Sequence, residues 1–391
     1  MSHYDIVIIG GGISGLVKAY KLSKAGKKIM LIEKSDILGG SIQTYYSRVA
    51  KDYWLEMGGH TLYNSYEKVL ELVNELELDK NICKRKKLPF KLYINKRFRS
   101  IFCGLNIVKI AYGFIKFKFL SKRGKTLSQY YRNIFGTKNY DRTLKHIFNG
   151  VLLQDSENFP AELLFNFHKK DKSYPRSFTF DKGLSLLLEA LINKTFCTFA
   201  CSTSVKFLER SDRKWNIDHS FGKVTANSVI MAIPPDEAFK LLSKSNLHHP
   251  CISLLNEIDH SYVYSLGVIF KKDSVIHIPE LAGCIGVGQK FYSMVSRDII
   301  DHKDYRGFVF HFKEEIDLTD DDYLSMIEGY LNIKKEDILD YTFKHNKVPK
   351  MSISFLNRSH ELGDFFESIS IELIGNYFSR LSIEDCVSKA Y

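Results

Sequence analysis

Two rhythms of apolar and polar positions run along this chain. Asp5 to Ile9 and Lys28 to Ile32 are short apolar runs, the pattern of strands covered on both faces. Between them, Ser14 to Ala25 carries apolar residues at helical spacing. That spacing returns from Ser65 to Leu78, where Val69, Leu70, Leu72, Val73 and Leu76 predict a helix facing a core. It returns from Leu105 to Arg123, in a leucine-rich helix opening at Gly183, and in an acid-capped helix from Asp317 to Leu331. Alternation of the strand kind marks the segment around Phe90, Leu92 and Ile94 and the run from Tyr262 to Phe270. Cys201 to Pro235 reads as a strand, a charged turn, a strand at Trp215 to Ile217, a hairpin at Phe221-Gly222 and an apolar strand ending at Pro234-Pro235. The chain is predicted to be α/β.

The first unit carries chemistry. Gly10, Gly12 and Gly15 follow the first apolar run in GxGxxG spacing, the second run ends on Glu33, and the order is that of a dinucleotide-binding βαβ unit. Gly10 permits a tight turn, Gly12 lets backbone approach a pyrophosphate, and Gly15 lets helix pack on strand. The helix start at Ile13 and Ser14 then presents free N–H groups and a positive dipole end to phosphate. Glu33 stands where a carboxylate accepts hydrogen bonds from an adenosine ribose. Further on, Gly58 and Gly59 suit either a close approach of backbone to a flat cofactor or a plain turn.

Glu33-Lys34, then Gly39-Gly40-Ser41 and Thr44, resemble the continuation of this unit in flavin-dependent amine oxidases, protoporphyrinogen oxidases and phytoene-type desaturases. That superfamily often has Arg where Ser41 stands. The resemblance continues at Glu56-Met57-Gly58-Gly59-His60-Thr61, which in the superfamily runs near the isoalloxazine ring. It continues at Tyr131 to Asp155, at Val205, and at Val229 to Pro234 with Ala232. Ser156 to Leu164 fits the family's next helix, and Pro349 to His360 its approach to the last strand. It closes on Gly375-Asn376 and on Ser382-Ile383, where Ser382 would cap a last helix. Near Ser379 a second family glycine is replaced. The protoporphyrinogen oxidase branch is the nearest match, and UDP-galactopyranose mutase a more distant one.

The resemblance implies a Rossmann-type FAD-binding domain (a GR2-like flavoprotein) interleaved with an α+β substrate-binding domain. The implied division is 1–78, 181–240 and 356–391 for FAD, and 79–180 and 241–355 for substrate. It implies non-covalent FAD and hydride removal from a C–N or activated C–C bond of an amine or hydrophobic substrate. The positions it marks for FAD are Gly10, Gly12, Ile13, Ser14, Gly15, Glu33, Lys34, Gly39, Gly40, Ser41, Gly58, Gly59, His60, Thr61, Val205, Ala232, Gly375, Asn376, Ser382 and Ile383. His60, Tyr63, His168 and Arg176 are candidates to line a substrate cavity. Two other readings stay open: a redox-neutral flavoenzyme of the mutase kind, for whose anionic substrate the basic stretch from Lys84 to Arg99 would serve, and a non-catalytic FAD-binding protein.

Composition narrows the classes. A chain of 391 residues, 45% hydrophobic, can bury a large core. Seven scattered cysteines without a CxxC pair argue against structural zinc and a disulfide framework, so reduced thiols and a cytoplasmic setting are expected. Because the first apolar stretch is the strand itself, no signal leader is expected, and no apolar stretch is long enough to predict a spanning helix. The net charge of +11 suits nucleic acid or an anionic membrane; no nucleic-acid partner is expected, and the oligomeric state stays open. The basic, aromatic helix over 105–123 reads either as a membrane-interface helix or as an ordinary one with outward lysines.

Overall fold

The computed structural model describes residues 1–117, 119–165, 169–247, 249–315 and 317–391, with the backbone alone at 379. Its first strand, β1 (Ser2–Ile9), runs into α1 (Ile13–Lys24) and returns as β2 (Ile29–Ile32). β1 pairs in parallel with β2 on one side and with Gly222–Met231 on the other. Thr198–Ala200 extends the parallel sheet beyond β2, and Ile371–Leu373 pairs in parallel with Gly222–Met231. The antiparallel strands Lys214–His219 and Val205–Ser211 complete seven strands among the described residues. β1 and β2 are continuous apolar runs because both faces are covered. Ile8, Leu31 and Ile230 face a core shared with Leu16, Val17 and the helix Ser185–Lys194, while Val7, Ile9 and Met231 face another containing Tyr130, Phe355 and Phe366.

A second seven-stranded sheet follows the order Ile338–Lys350, Asp259–Lys271, Tyr305–Lys313, Phe291–Ser296, Gly283–Gly286, Phe90–Ile94 and Arg97–Ser100. One face packs on Asp320–Leu331, whose start is held by a reciprocal Thr319–Asp322 capping box. Residues 53–57 join the two halves: Tyr53, Leu55 and Met57 pack on Ile269 and Val309 of this sheet. Gly267 and Gly307 make room for them, since a Cβ at either would meet Leu55 at 2.9 and 2.7 Å.

One expected element differs. Ser156 to Leu164 is not a helix. Leu127 N–H donates to Phe159 O and Ala161 N–H to Lys125 O, so this backbone pairs with the start of α4 (Leu127–Phe135) and keeps only a short turn at Ala161–Leu163. Pro349 lies inside the strand Ile338–Lys350 and the approach to the last strand is the helix Ile353–Ser368. Proline is tolerated there because that strand is at the sheet edge. The helix expected over 105–123 is α3, Ile107–Phe117.

Candidate cofactor and substrate site

The carboxyl ends of the parallel strands gather the glycine turn and most of the marked positions. α1 begins at an N-cap Gly12 that makes no side-chain hydrogen bond, with no acid in its first turn, so its first N–H groups remain open for an anion. Gly15 sits so close under the turn that a Cβ there would lie 2.0 Å from Gly10 O. Glu33 closes the loop, accepting from Gly11 N–H at 2.7 Å and Ser35 N–H at 2.9 Å. Thr203 N–H donates to Glu33 O, which brings the start of the Val205 strand alongside. Ala232 N–H donates to Ile9 O at 2.7 Å. Gly39 N–H donates to Gly11 O at 2.8 Å, and the nearest atom to a Cβ on Gly12 would be Gly40 Cα, 4.0 Å away. A side-chain-free wall beside an uncapped helix start fits a dinucleotide pyrophosphate. Lys34 is exposed, as is Ser41.

The last segment closes the same end. Ile374 N–H donates to Met231 O, and Gly375 turns the chain at φ 139° into Asn376. Ser382 caps the helix Ile383–Ala390 by accepting from Asp385 N–H at 3.1 Å. The buried Glu384 carboxylate accepts from Lys68 and Val69 N–H groups at 2.9 and 3.0 Å, locking that helix to α2 (Glu67–Glu75). Gly59 packs on Ile383, and a Cβ on Gly58 would meet Ser41 O at 1.9 Å.

Beyond Gly59 lies a narrow cleft between the two halves, lined in part by Trp54, Glu56, His60, Thr179 and Arg297. Buried polar atoms without a partner collect in and around it: His60 Nδ1, Arg85 Nε, Thr179 Oγ1, Arg297 Nε and His311 Nε2. Arg297 lies 3.9 Å over the Trp54 ring, and Arg85 donates to Thr61 Oγ1. His60 and His311 face each other at 5.3 Å between ring centres. Burial, and then the neighbouring His311, holds His60 well below the usual histidine range; burial brings His311 to about 4. Both imidazoles are therefore neutral at physiological pH. His311 Nδ1 is fixed by Ser265 Oγ at 2.8 Å, and Asn346 bonds that hydroxyl and Met57 O.

Residues 8–76 match the NAD(P)-binding Rossmann-like domain family. A flavin-containing monoamine oxidase A assigned in Dictyostelium discoideum is 38% identical over 73 residues, 19% of this chain and 15% of that protein, so the match spans a small part of the relative's length. Whole-chain similarity is structural. A protein of Exiguobacterium sp. 255-15 described as a protoporphyrinogen oxidase superposes at TM-score 0.79 with 16% identity, covering 100% of this chain and 97% of that one. A putrescine oxidase variant superposes at 0.75 with 15% identity and the same coverage. The chain shares the fold of these two proteins over its whole length.

On this fold the candidate substrate residues separate. His60 lines the cleft, Tyr63 and Arg176 are at the surface, and His168 lies outside the described residues. Thr179 and Arg297 enter the cleft from other segments, and Arg85, His311 and Lys344 reach Thr61, the His60 ring and the Gly40 carbonyl beside it. Lys344 Nζ donates to Gly40 O at 2.9 Å and Ser41 O at 3.4 Å. Burial lowers Lys344 to about 8 and raises Glu56 to about 8, although Leu184 N–H and Thr44 Oγ1 both donate to the Glu56 carboxylate. The sign of the pH effect follows. Between the ordinary 4.5 and about 8, folded Glu56 keeps a proton that the unfolded chain has lost, so its contribution fades as pH rises through that window. Lys344 acts oppositely above about 8, where the unfolded chain is the more protonated. The melting temperature should fall between about pH 5 and pH 8 by an amount on the order of a few kcal/mol in stability. In Glu56→Gln, whose amide oxygen can still accept from Leu184 N–H, that fall should disappear; an unchanged pH profile would show that Glu56 is ionised in the folded protein.

Proposed function

We propose that this chain is an FAD-dependent oxidoreductase that removes hydride from a C–N or activated C–C bond of an amine or hydrophobic substrate, with the FAD held non-covalently. The observation that carries the reading is the convergence of an uncapped α1 start, the Glu33 carboxylate and the Ser382-capped helix at one end of the parallel sheet. A bound flavin supplies the two-electron chemistry there; the protein supplies position and electrostatics. The α1 start and the Gly12–Gly40 wall would hold pyrophosphate, Glu33 the ribose, and the positive end of the Ile383–Ala390 helix would favour developing negative charge. Gly58 and Gly59 would let backbone approach the ring system. In the cleft, the neutral His60, backed by His311, can orient a substrate. Glu56 and Lys344, both near 8, can hold or release a proton at working pH.

The test is an absorbance spectrum of purified protein before and after heat release of cofactor. Flavin bands with FAD free in the supernatant are expected, followed by bleaching of the bands with an amine or an apolar substrate. A colourless protein that also fails to bind added FAD would end the proposal. Turnover seen only after dithionite reduction would replace oxidation with redox-neutral flavin chemistry.

A further inference from the structure

The chain's positive charge is concentrated in one stretch. Residues 80–140 contain twelve lysines and five arginines and no aspartate or glutamate. Of 56 basic and 45 acidic residues in the chain, this leaves 39 against 45, so the rest of the protein is net negative while this segment alone carries +17. It forms the outer strands Phe90–Ile94 and Arg97–Ser100 of the second sheet, a short loop, α3 and α4.

α3 packs unlike a helix of a water-soluble surface. Gly113 is its buried residue, pressed onto α4 so closely that a Cβ would meet Phe135 Cδ1 at 2.5 Å. Ile110 and Phe117 are partly buried beside it. The opposite, broader arc is apolar too. Val108, Tyr112 and Ile115, spaced four and three residues apart, form a stripe that stands 60–80% exposed, with Ile107, Phe114 and Phe102 beside it at 61–69% and Phe119, past the end of the helix, at 82%. The Asn139 side chain pins the helix start by accepting from Asn106 N–H at 2.7 Å and donating to Asn106 O, so the stripe is held outward by the fold. Exposed Lys96, Arg97, Arg99, Lys109 and Arg123 accompany it, whereas Lys122 turns inward to the carbonyls of Leu164 and Phe165.

We propose that α3 and the adjoining basic hairpin dock on the surface of an anionic lipid bilayer, with the Val108–Ile115 stripe inserted among headgroups and acyl chains. Charge complementarity selects this occupant. A second copy would set two cationic faces against each other. Nucleic acid would satisfy the cations but leave a broad aliphatic and aromatic stripe in water. A bilayer of anionic lipid takes both, and clustered Lys and Arg beside an amphipathic helix are what such a surface attracts. No helix among the described residues is long and apolar enough to cross a membrane, so the attachment lies in the plane of the interface. The inference is independent of the proposed redox chemistry.

The test is flotation of the full chain with vesicles of phosphatidylglycerol and phosphatidylcholine in equal parts, and with phosphatidylcholine alone. Wild type should float with the anionic vesicles and stay behind with the neutral ones. Val108→Glu with Ile115→Glu, at positions already in water, should leave the melting temperature unchanged and weaken vesicle binding about tenfold or more. Arg97→Glu with Arg99→Glu should release the protein at lower salt. Absence of flotation at low salt, or equal flotation of the double glutamate variant, would overturn the proposal. So would self-association of wild type, abolished by that variant, in the absence of flotation, which would assign the stripe to a second copy.

Discussion

Gly15→Ala should purify with less than about a tenth of the wild-type flavin content and with stability lowered by about 1–3 kcal/mol. A single methyl group is enough because the space belongs to Gly10 O, 2.0 Å from the new carbon, with Ala232 Cβ at 3.3 Å behind it. The obstruction is backbone, so no rotamer change relieves it. Either α1 lifts from the sheet or the Gly10–Gly12 turn opens, and both move the N–H groups that would face the phosphates. Gly329→Ala is the matched control. It lies in the helix Asp320–Leu331 with nothing within 4 Å of a new Cβ, and should keep its flavin while gaining slightly in stability. Flavin absorbance per protein and urea melts measure both. Full flavin occupancy in Gly15→Ala would mean that the turn does not hold the cofactor.

Arg306→Met should cost about 3–5 kcal/mol, the penalty for leaving one partner of a buried ion pair alone. Arg306 and Asp298 are 6% and 4% exposed, and the guanidinium reaches both carboxylate oxygens, Nε to Oδ1 at 2.9 Å and Nη2 to Oδ2 at 2.6 Å. Its remaining donors go to the carbonyls of Val275, Ile278 and Pro279. The pair also fixes the turn that Ser296 starts by accepting from Asp298 N–H at 3.0 Å. Arg297, between them, is thereby held over Trp54 in the cleft. Urea denaturation should show the loss, and adding Asp298→Asn should restore part of it by removing the stranded charge. A loss below about 1 kcal/mol would show that water reaches the pair.

The phosphate end of the fold is legible in the sequence because its signals are local. Gly10, Gly12, Gly15, Glu33 and two apolar runs lie within about thirty residues, and turn geometry and burial set each of them separately. The cleft is not legible. Arg85 reaches Thr61, Lys344 the Gly40 carbonyl, and His311 the His60 ring only through strand pairing and domain packing across more than 200 residues in the last two cases. Nothing near them in the chain distinguishes Arg297 from a surface arginine or Lys344 from its neighbours Lys347 and Lys350. Tyr63 and Arg176 fail as cavity residues for a related reason. Leu62–Tyr63 pairs with the strand Ser177–Phe180, and this pairing turns Leu62 inward and Tyr63 outward. Ser156 to Leu164 misleads because its backbone partners sit at 125–127, a pairing that helical spacing does not reveal.

The place of Ile371–Leu373 beside Gly222–Met231 has a consequence for synthesis. The parallel sheet begins with the second residue, yet it is complete only when residue 373 has been made, because Ile374 and the capped helix behind it close the cofactor end. At ~5–20 residues per second the ribosome needs roughly 20 s or more to bridge that interval. Throughout it, β1 and Gly222–Met231 would lack their last partner and the Ile8–Ile230 core its closing helix. A nascent chain of this design stays open to chaperones, and to any cofactor in its surroundings, until residues 371–390 have emerged and docked.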